Sequence, residues 1–499
     1  MNNLATPEML IAVWVCLVVY AIVILYFVVR GAKQTKTMSD YATGTFQFSP
    51  AAIGLSLAAG MTSAATFIIN PGFVAYYGIS SFLSMAVFLP LGALISLVIL
   101  SKQFRKIGNV IQAKTIAQWL GIRFQSQGFR LYIAFLSLLH LTFIVLICVG
   151  LTQVLSKALN ADVFYVLIGI VVFTFGYMMF GGANSMVYTN MIQAMLKIVV
   201  AIIILASGYH LFTDGDTSFF SKLNLIDPNL TKPFNTASPL YRDFFEVVIC
   251  QFIVGIAIVC QPHIITRSLL LKDDKGMNRF LTVAVILLVL FFTVVFAGLY
   301  CRLAFPDLMY NGAKLPLDGA MSAYVVNSFM PFVSLFLVVG LIASGIATLE
   351  SLIQSISTTI TSDIIKVLSG KDELKNELII NRFVVAAMAI ITIWVSYNQL
   401  TNPELSVGIL AQNGVYASFS AAFVPLVLGM FIKDVHKSAA VISSVVAIVV
   451  HFSVYYGRLT PYMQDPIRNP GIASAIAIMC SVFVGFFVYF LTKKKKVVA

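Results

Sequence analysis

Ala58-Ala59-Gly60-Met61-Thr62-Ser63-Ala64-Ala65-Thr66-Phe67, followed by Asn70-Pro71-Gly72, lies inside an apolar stretch, 50–77, long enough to cross a bilayer. A hydrocarbon core ~30 Å thick asks for about 20 apolar residues in helix. Small residues, hydroxyls and a proline at that depth interrupt the helical ladder, and the freed backbone groups need partners that lipid cannot supply. One reading is a proline kink with small residues for close helix packing. The other is a broken helix whose released carbonyls hold a cation or a solute. A second interruption favours the latter: stretch 241–262 carries Gly255 at its middle and closes on Gln261-Pro262-His263. Two broken helices five spans apart fit an inverted repeat of five plus five.

Working outward, apolar runs of spanning length recur at 8–29, 50–77, 80–101, 130–156, 162–180, 185–213, 241–262, 278–304, 331–361, 379–400, 404–432, 437–457 and 471–491. The expectation is an all-α integral membrane protein of about 13 transmembrane helices. Of the 499 residues, 60% are hydrophobic and only 10% charged, with a mean hydropathy of +0.94. Soluble domains carry roughly 25% charged residues, so the apolar surplus must face lipid. That excludes a soluble enzyme and a nucleic-acid binder. The first run lacks a basic leader, is too long for a signal-peptide core and is followed by Arg30 and Lys33, so it reads as a retained span. Residues 109–125 read as an amphipathic helix along the membrane surface.

The net charge of +12 is a topology signal. With the N-terminus outside and the C-terminus cytoplasmic, 23 of the 32 Lys and Arg fall in inside loops or the C-terminal tail, 8 fall outside, and Lys197 lies within a span. The expected location is the plasma (inner) membrane, multi-pass. The six cysteines include no CxxC pair and read as small hydrophobes.

Polar residues at depth continue in Ser344, Thr348, Glu350, Ser351, Gln354, Ser355, Ser357, Thr358, Thr359, Thr361 and Asp363. Their spacing of three and four places them along one helical stripe. Singly, such hydroxyls satisfy a carbonyl one turn back; as a stripe they read as a pathway. His140, His210 and His451 are scattered, without HExxH or GxSxG, so an intramembrane enzyme is disfavoured. A transporter-like receptor would append a signalling domain beyond Lys496, where only three residues follow.

At these residues the chain resembles the sodium:solute symporter family, which includes proline, glucose, sialic acid, iodide and pantothenate carriers. The resemblance spans essentially the whole chain: Thr62 to Gly72, Gly181-Gly182, Tyr188-Thr189-Asn190-Met191-Ile192-Gln193 and the stripe from Thr348 to Asp363. Pro262-His263 with Arg267, Lys272-Asp273 and Phe305-Pro306-Asp307-Leu308 look closest to pantothenate-type carriers. The resemblance implies a leucine-transporter-type fold in one domain over 1–499. Its core repeats would cover about 50–213 and 241–432, with flanking helices 8–29, 437–457 and 471–491. It maps the shared sodium site onto Ala59, Thr62, Ser344, Ala347 and Thr348. Ala347 replaces the usual serine and removes a hydroxyl. A second ion site in some members maps onto Asn190, Glu350 and Ser351, and the arginine that binds carboxylate in sialic-acid carriers falls at Phe143.

The implied function is secondary active import of a small organic solute, a pantothenate-like carboxylate, by cation-coupled symport. Sodium is the family's default ion; no other cofactor, no nucleic acid and no obligate protein partner are expected. Thr62, Ser63, Thr66 and Gln261 are the expected substrate contacts. Lys197 opens an alternative. It follows Asn190 by seven residues, a turn of ~700° and a rise of ~10.5 Å, which brings it near the shared sodium site. Its ammonium could replace sodium, held by the carbonyls of Ala59, Thr62 and Ser344 with Glu350 as counter-charge. That would give a proton-coupled or uncoupled carrier. Alternatively Lys197 pairs structurally and sodium coupling persists. Lys197, Glu350, Asn190 and Ser351 are therefore the coupling candidates.

Overall fold

The computed structural model describes residues 7–45, 47–213, 217–271, 275–310, 312–371, 374–402, 407–464 and 467–493. Lys272-Asp273 and the tail residues Lys494 to Ala499 lie outside them. The described membrane helices are α1 (Pro7–Ala32), α2 (Pro50–Met61), α3 (Ala65–Tyr77), α4 (Ile79–Ile111), α5 (Gln127–Leu159), α6 (Val163–Ser207), α7 (Phe245–Ile258), α8 (Pro262–Leu270), α9 (Met277–Ala304), α10 (Pro331–Leu368), α11 (Glu377–Thr401), α12 (Val407–Phe431), α13 (Lys437–Gly457) and α14 (Pro470–Thr492).

The two expected interruptions are real, and they match. α2 and α3 form one pair bent by 57°, and α7 and α8 form another, also bent by 57°. Among the described residues ten helices can cross a membrane by length and composition, or twelve if each bent pair is one span. The stretch Val163–Thr213 runs for 51 residues, ~75 Å of helix against ~30 Å of hydrocarbon. It turns at Gly182, whose φ of +55° and ψ of −154° are not helical. Division there brings the count of candidate spans to the thirteen apolar runs of the sequence reading.

The polarity is inside out relative to a soluble protein. Trp14, Val15, Val18, Val19, Ile22 and Tyr26 of α1 and Phe483, Phe487 and Phe490 of α14 face outward, while nearly every residue of α10 from Ser334 to Thr359 is buried. α10 packs against α6, α2, α5 and α8, so the polar stripe sits at the centre of the bundle.

The surface helix expected at 109–125 is not one element. Val110 and Ile111 end α4, and a separate short helix, Ile116–Arg123, packs inward. Its Trp119 is fully buried, stacks on Phe104 at 5.4 Å and donates to the Phe104 carbonyl at 3.3 Å. Ile116, Trp119, Leu120 and Phe124 are covered by protein rather than by headgroups, while Val110 stays exposed. Between α9 and α10 the chain makes a two-residue hairpin, Met309–Tyr310 against Ala313–Lys314.

Candidate functional site

The first bend falls where the sequence is least able to continue a helix. α2 ends at Met61 with Thr62 extended (φ −106°, ψ 113°), and Thr62 turns its own hydroxyl back to the Ala58 carbonyl at 2.6 Å. The carbonyls of Ala59 and Thr62 are thereby exposed to the side rather than along the helix. Lys197 of α6 fills that space. Its Nζ donates to the Ala59 oxygen at 2.6 Å and to the Thr62 oxygen at 2.5 Å, and it lies 6.0 Å from the Phe291 ring centre. Lys197 is fully buried. Around it Ala59, Ala194 and Ala347 pack their methyls together, so the wall beside the ammonium is apolar where a serine hydroxyl would otherwise stand. Thr348 Oγ1 donates to the same Thr62 oxygen at 3.4 Å.

Two expected partners of Lys197 are not there. Among the described residues no bond joins it to the Ser344 carbonyl, and the buried Ser344 hydroxyl has no partner. Glu350 is committed elsewhere: one oxygen accepts from the Tyr177 hydroxyl and from Gln193 Nε2 (3.2 Å), the other from Thr189 Oγ1 (2.5 Å). Asn190 extends this cage. With its NH2 turned to Glu350 Oε2 (2.9 Å) and Gln193 Oε1 (2.9 Å), its oxygen accepts from Arg267 Nη2 at 3.0 Å. Arg267, 3% exposed, also donates to Ser351 Oγ (2.5 Å) and Ser56 Oγ (2.7 Å). Glu350 and Arg267 are thus a buried opposite-charge couple bridged by an amide, and Lys197 stands apart from it. The steric reason is that Lys197 reaches across to the end of α2, while Glu350 turns toward the part of α6 around the Gly182 turn, flanked by Tyr177 and Thr189. Ser351 donates in turn to the Ala347 carbonyl at 2.8 Å, which removes that carbonyl as a free ligand.

The stripe below is closed. Thr358 and Thr359 donate to the carbonyls of Gln354 and Ser355, one turn back. At its far end Asp363 takes Arg130 Nε at 2.7 Å and Thr115 Oγ1 at 2.5 Å.

On the other side of the first bend a cavity of about 880 Å3, counted to its open mouth, lies between the two broken pairs. Of the expected substrate contacts Ser63, Thr66 and Gln261 line it and Thr62 does not; the Thr62 side chain is spent on its own helix. Asn70, His263, Gln412 and Tyr416 join the lining, against Met61, Phe143, Leu146 and Phe292. Gln412 was readable as an amide inside an apolar run. His263 was visible only as part of a motif, and nothing in its spacing said which way it points.

The geometry agrees with what comparison with known proteins finds. Residues 41–447 match the model of the sodium:solute symporter family. The chain is 25% identical to the sodium/pantothenate symporter of Escherichia coli strain K12, over 87% of this chain and 89% of that one. It is 25% identical to the high-affinity proline transporter PutP of Bacillus subtilis strain 168, over 92% and 94% respectively. A solved structure of a Na+-coupled sialic acid symporter, substrate-bound and outward-open, superposes with a TM-score of 0.77 at 19% identity, covering 96% of this chain and 98% of that one. That likeness shows the leucine-transporter-like fold. These relatives are multi-pass carriers, not enzymes, and the chain belongs to the sodium:solute symporter family.

Proposed function

We propose that this protein carries a small organic solute across the plasma membrane with the Lys197 ammonium in the position that sodium takes elsewhere in the family, so that transport is proton-coupled or uncoupled. One observation carries the reading: Lys197 Nζ lies 2.6 and 2.5 Å from the carbonyl oxygens of Ala59 and Thr62. These are the two carbonyls at the first bend that the family resemblance assigns to sodium. A tethered ammonium offers its hydrogens to the same oxygens that would otherwise strip an ion of water. Ala347 contributes a methyl where a hydroxyl would complete an ion's shell. Solute would bind in the cavity beside the bend, touching Ser63, Thr66 and Gln261.

A second reading, sodium symport, is favoured by the family itself and by the sodium-coupled relatives. In it Lys197 is a structural pin. Proteoliposome uptake separates the two. A panel containing pantothenate and proline identifies a transported solute, and uptake is then measured with sodium or pH gradients imposed separately, in wild type and Lys197→Met. Sodium-independent uptake that the methionine abolishes or makes sodium-dependent is expected. Strict sodium dependence in the wild type would overturn the proposal.

A further inference from the structure

The link between α1 and α2 contains a short helix, Met38–Thr43, whose two faces meet different surroundings. Thr37 and Asp40 start it with a reciprocal capping box. Met38, Tyr41 and Ala42 are buried, and the Tyr41 side chain is fully enclosed. Ser39 and Thr43, one turn apart on the opposite face, line a mouth of about 750 Å3, counted to open solvent. Gly108 and Asn109 of α4, Lys114, and Leu269 of α8 form the rest of its wall. Thr115, next to Lys114, bonds Asp363, so the mouth lies at the C-terminal end of α10. α8 runs from the solute cavity, which His263 and Ile264 line, to this mouth, which Leu269 lines. The short helix stands between the mouth and the polar stripe of α10.

Its buried face is fastened to that stripe. Gln354 Nε2 donates to the Ala42 carbonyl at 2.6 Å and to the Tyr41 carbonyl at 3.3 Å. Both belong to the last turn, whose carbonyls have no partner further along the helix. Tyr41 Oη lies 3.3 Å from Ser357 Oγ. On the other side the Gly182 turn of α6 makes room, since a β-carbon there would meet Tyr41 at 2.7 Å. Asn184 holds both flanks of the segment, accepting from Thr45 N at 2.7 Å and donating to Thr35 Oγ1 at 3.1 Å. Every one of these bonds is neutral. Among the described residues no ion pair ties the helix down, and Asp40 is spent on capping. The neighbouring end of α10 is different, being pinned by the Arg130–Asp363 ion pair. Charge-assisted bonds are roughly twice as strong as neutral ones, and a helix this short does not persist without its contacts. The fastening is therefore specific in place but weak in kind.

We infer that helix Met38–Thr43 is a movable plug over the exit at the C-terminal end of α10, with Tyr41 as its stopper and Gln354 as its latch. The inference goes beyond the proposed function; it rests on the chain being a carrier and not on which cation occupies the first bend. Solute that leaves the cavity between α8 and α10 meets the Tyr41 ring and the Gln354 amide. When the helix lifts, both move out of that path and the stripe joins the mouth. Gly44, at the end of the helix with φ +70°, supplies the place where the backbone turns. Gln354 and Tyr41 are positioning residues, since neither lines the cavity.

Single cysteines and a membrane-impermeant maleimide test this in the full chain, with the unmutated protein as background. Ser39→Cys reports the mouth, Met38→Cys the buried face of the helix, and Ala65→Cys the solute cavity. Each is labelled in intact cells and in inside-out vesicles, and Ser39→Cys shows which preparation presents the mouth. In the otherwise native chain Met38→Cys is expected to react at least about tenfold more slowly than Ser39→Cys. Loss of one or two neutral bonds in Gln354→Leu should speed labelling of both Met38→Cys and Ala65→Cys from the mouth side about tenfold. Labelling of Ala65→Cys from the opposite side should fall, a reciprocal shift that mere loosening of the surface would not produce. The thermal midpoint of each purified variant checks that the bundle stays folded. Should Gln354→Leu lower it, Tyr41→Phe takes its place, removing only the Ser357 contact. Equal reactivity of Met38→Cys and Ser39→Cys in the native chain would overturn the inference. So would a latch variant that frees Met38→Cys and leaves Ala65→Cys unchanged from both sides. Labelling in sodium and in choline buffers keeps the two proposals apart. A sodium requirement for uptake would retire the Lys197 reading, while the reciprocal shift still judges the plug.

Discussion

At the scale of single residues, the interior divides its charges between two devices with different consequences. Glu350 and Arg267 are buried and mutually dependent through Asn190. Removing one member of such a couple strands the other, which costs about 3–5 kcal/mol, whereas removing both costs far less. Arg267→Met is therefore expected to lower the thermal unfolding midpoint of the purified protein markedly, and Arg267→Met with Glu350→Gln to recover much of that loss. Additive losses in the double variant would show that the couple is not energetically linked. Lys197 is different, being held by the Ala59 and Thr62 carbonyl dipoles beside the Phe291 ring, with no carboxylate paired to it among the described residues. Thr348 sits beside it with a long 3.4 Å bond to the shared Thr62 oxygen. If Lys197 holds the cation position, Thr348→Val keeps shape and should change stability by less than about 1 kcal/mol. Solute uptake should be equally indifferent to sodium before and after. A loss of ion activation in the valine variant would instead mark the hydroxyl as an ion ligand.

At the scale of elements, the bends were legible and their surroundings only partly so. Proline, glycine and hydroxyls inside apolar runs leave backbone groups unpaired, and that signature stands in the one-dimensional string at 58–72 and 255–263. Lys197 was legible too, because a lysine far from either interface demands partners and helical geometry set its face relative to Asn190. What the string could not hold is side-chain choice between equivalent faces. Glu350 could turn to Lys197 or to Tyr177 and Thr189, and only packing decides. The same limit hid the inward turn of Trp119 and the escape of Thr62 from the cavity. Gly182 shows an element boundary with a checkable cost. Its φ of +55° disfavours any side chain, and a β-carbon there would come within 2.8 Å of Tyr41 Cα and 2.9 Å of its carbonyl oxygen. Gly182→Ala should destabilise by at least about 1–3 kcal/mol, read as early unfolding in the same thermal assay. A wild-type midpoint would mean that the helix runs straight through that turn.

At the scale of the whole molecule, thirteen apolar runs, if each crosses, put the two ends of the chain on opposite sides, and the basic residues predict which end is where. Membrane insertion keeps short Lys- and Arg-rich loops on the cytoplasmic side. With 23 such residues on one set of loops and tail and 8 on the other, the C-terminus is expected inside and the N-terminus outside. The two ends of the bundle carry separate polar anchors. Asp363, Arg130 and Thr115 close the C-terminal end of α10. Arg242, Glu246 and Asn469 form a separate network at the opposite end, where Arg242 Nη2 lies 2.7 Å from Glu246 and Asn469 Nδ2 2.9 Å from it. Orientation also fixes the meaning of transport, since the cavity must open first to the side from which solute is taken up. Asn3→Cys and Ala499→Cys, made separately and treated in intact cells with a membrane-impermeant maleimide, read it directly against the unmutated chain, which supplies the background of its six native cysteines. Labelling above background is expected at the N-terminal site and, only after the membrane is permeabilised, at the C-terminal one. The reverse pattern would invert the protein in the membrane, and with it the direction assigned to every loop charge counted here.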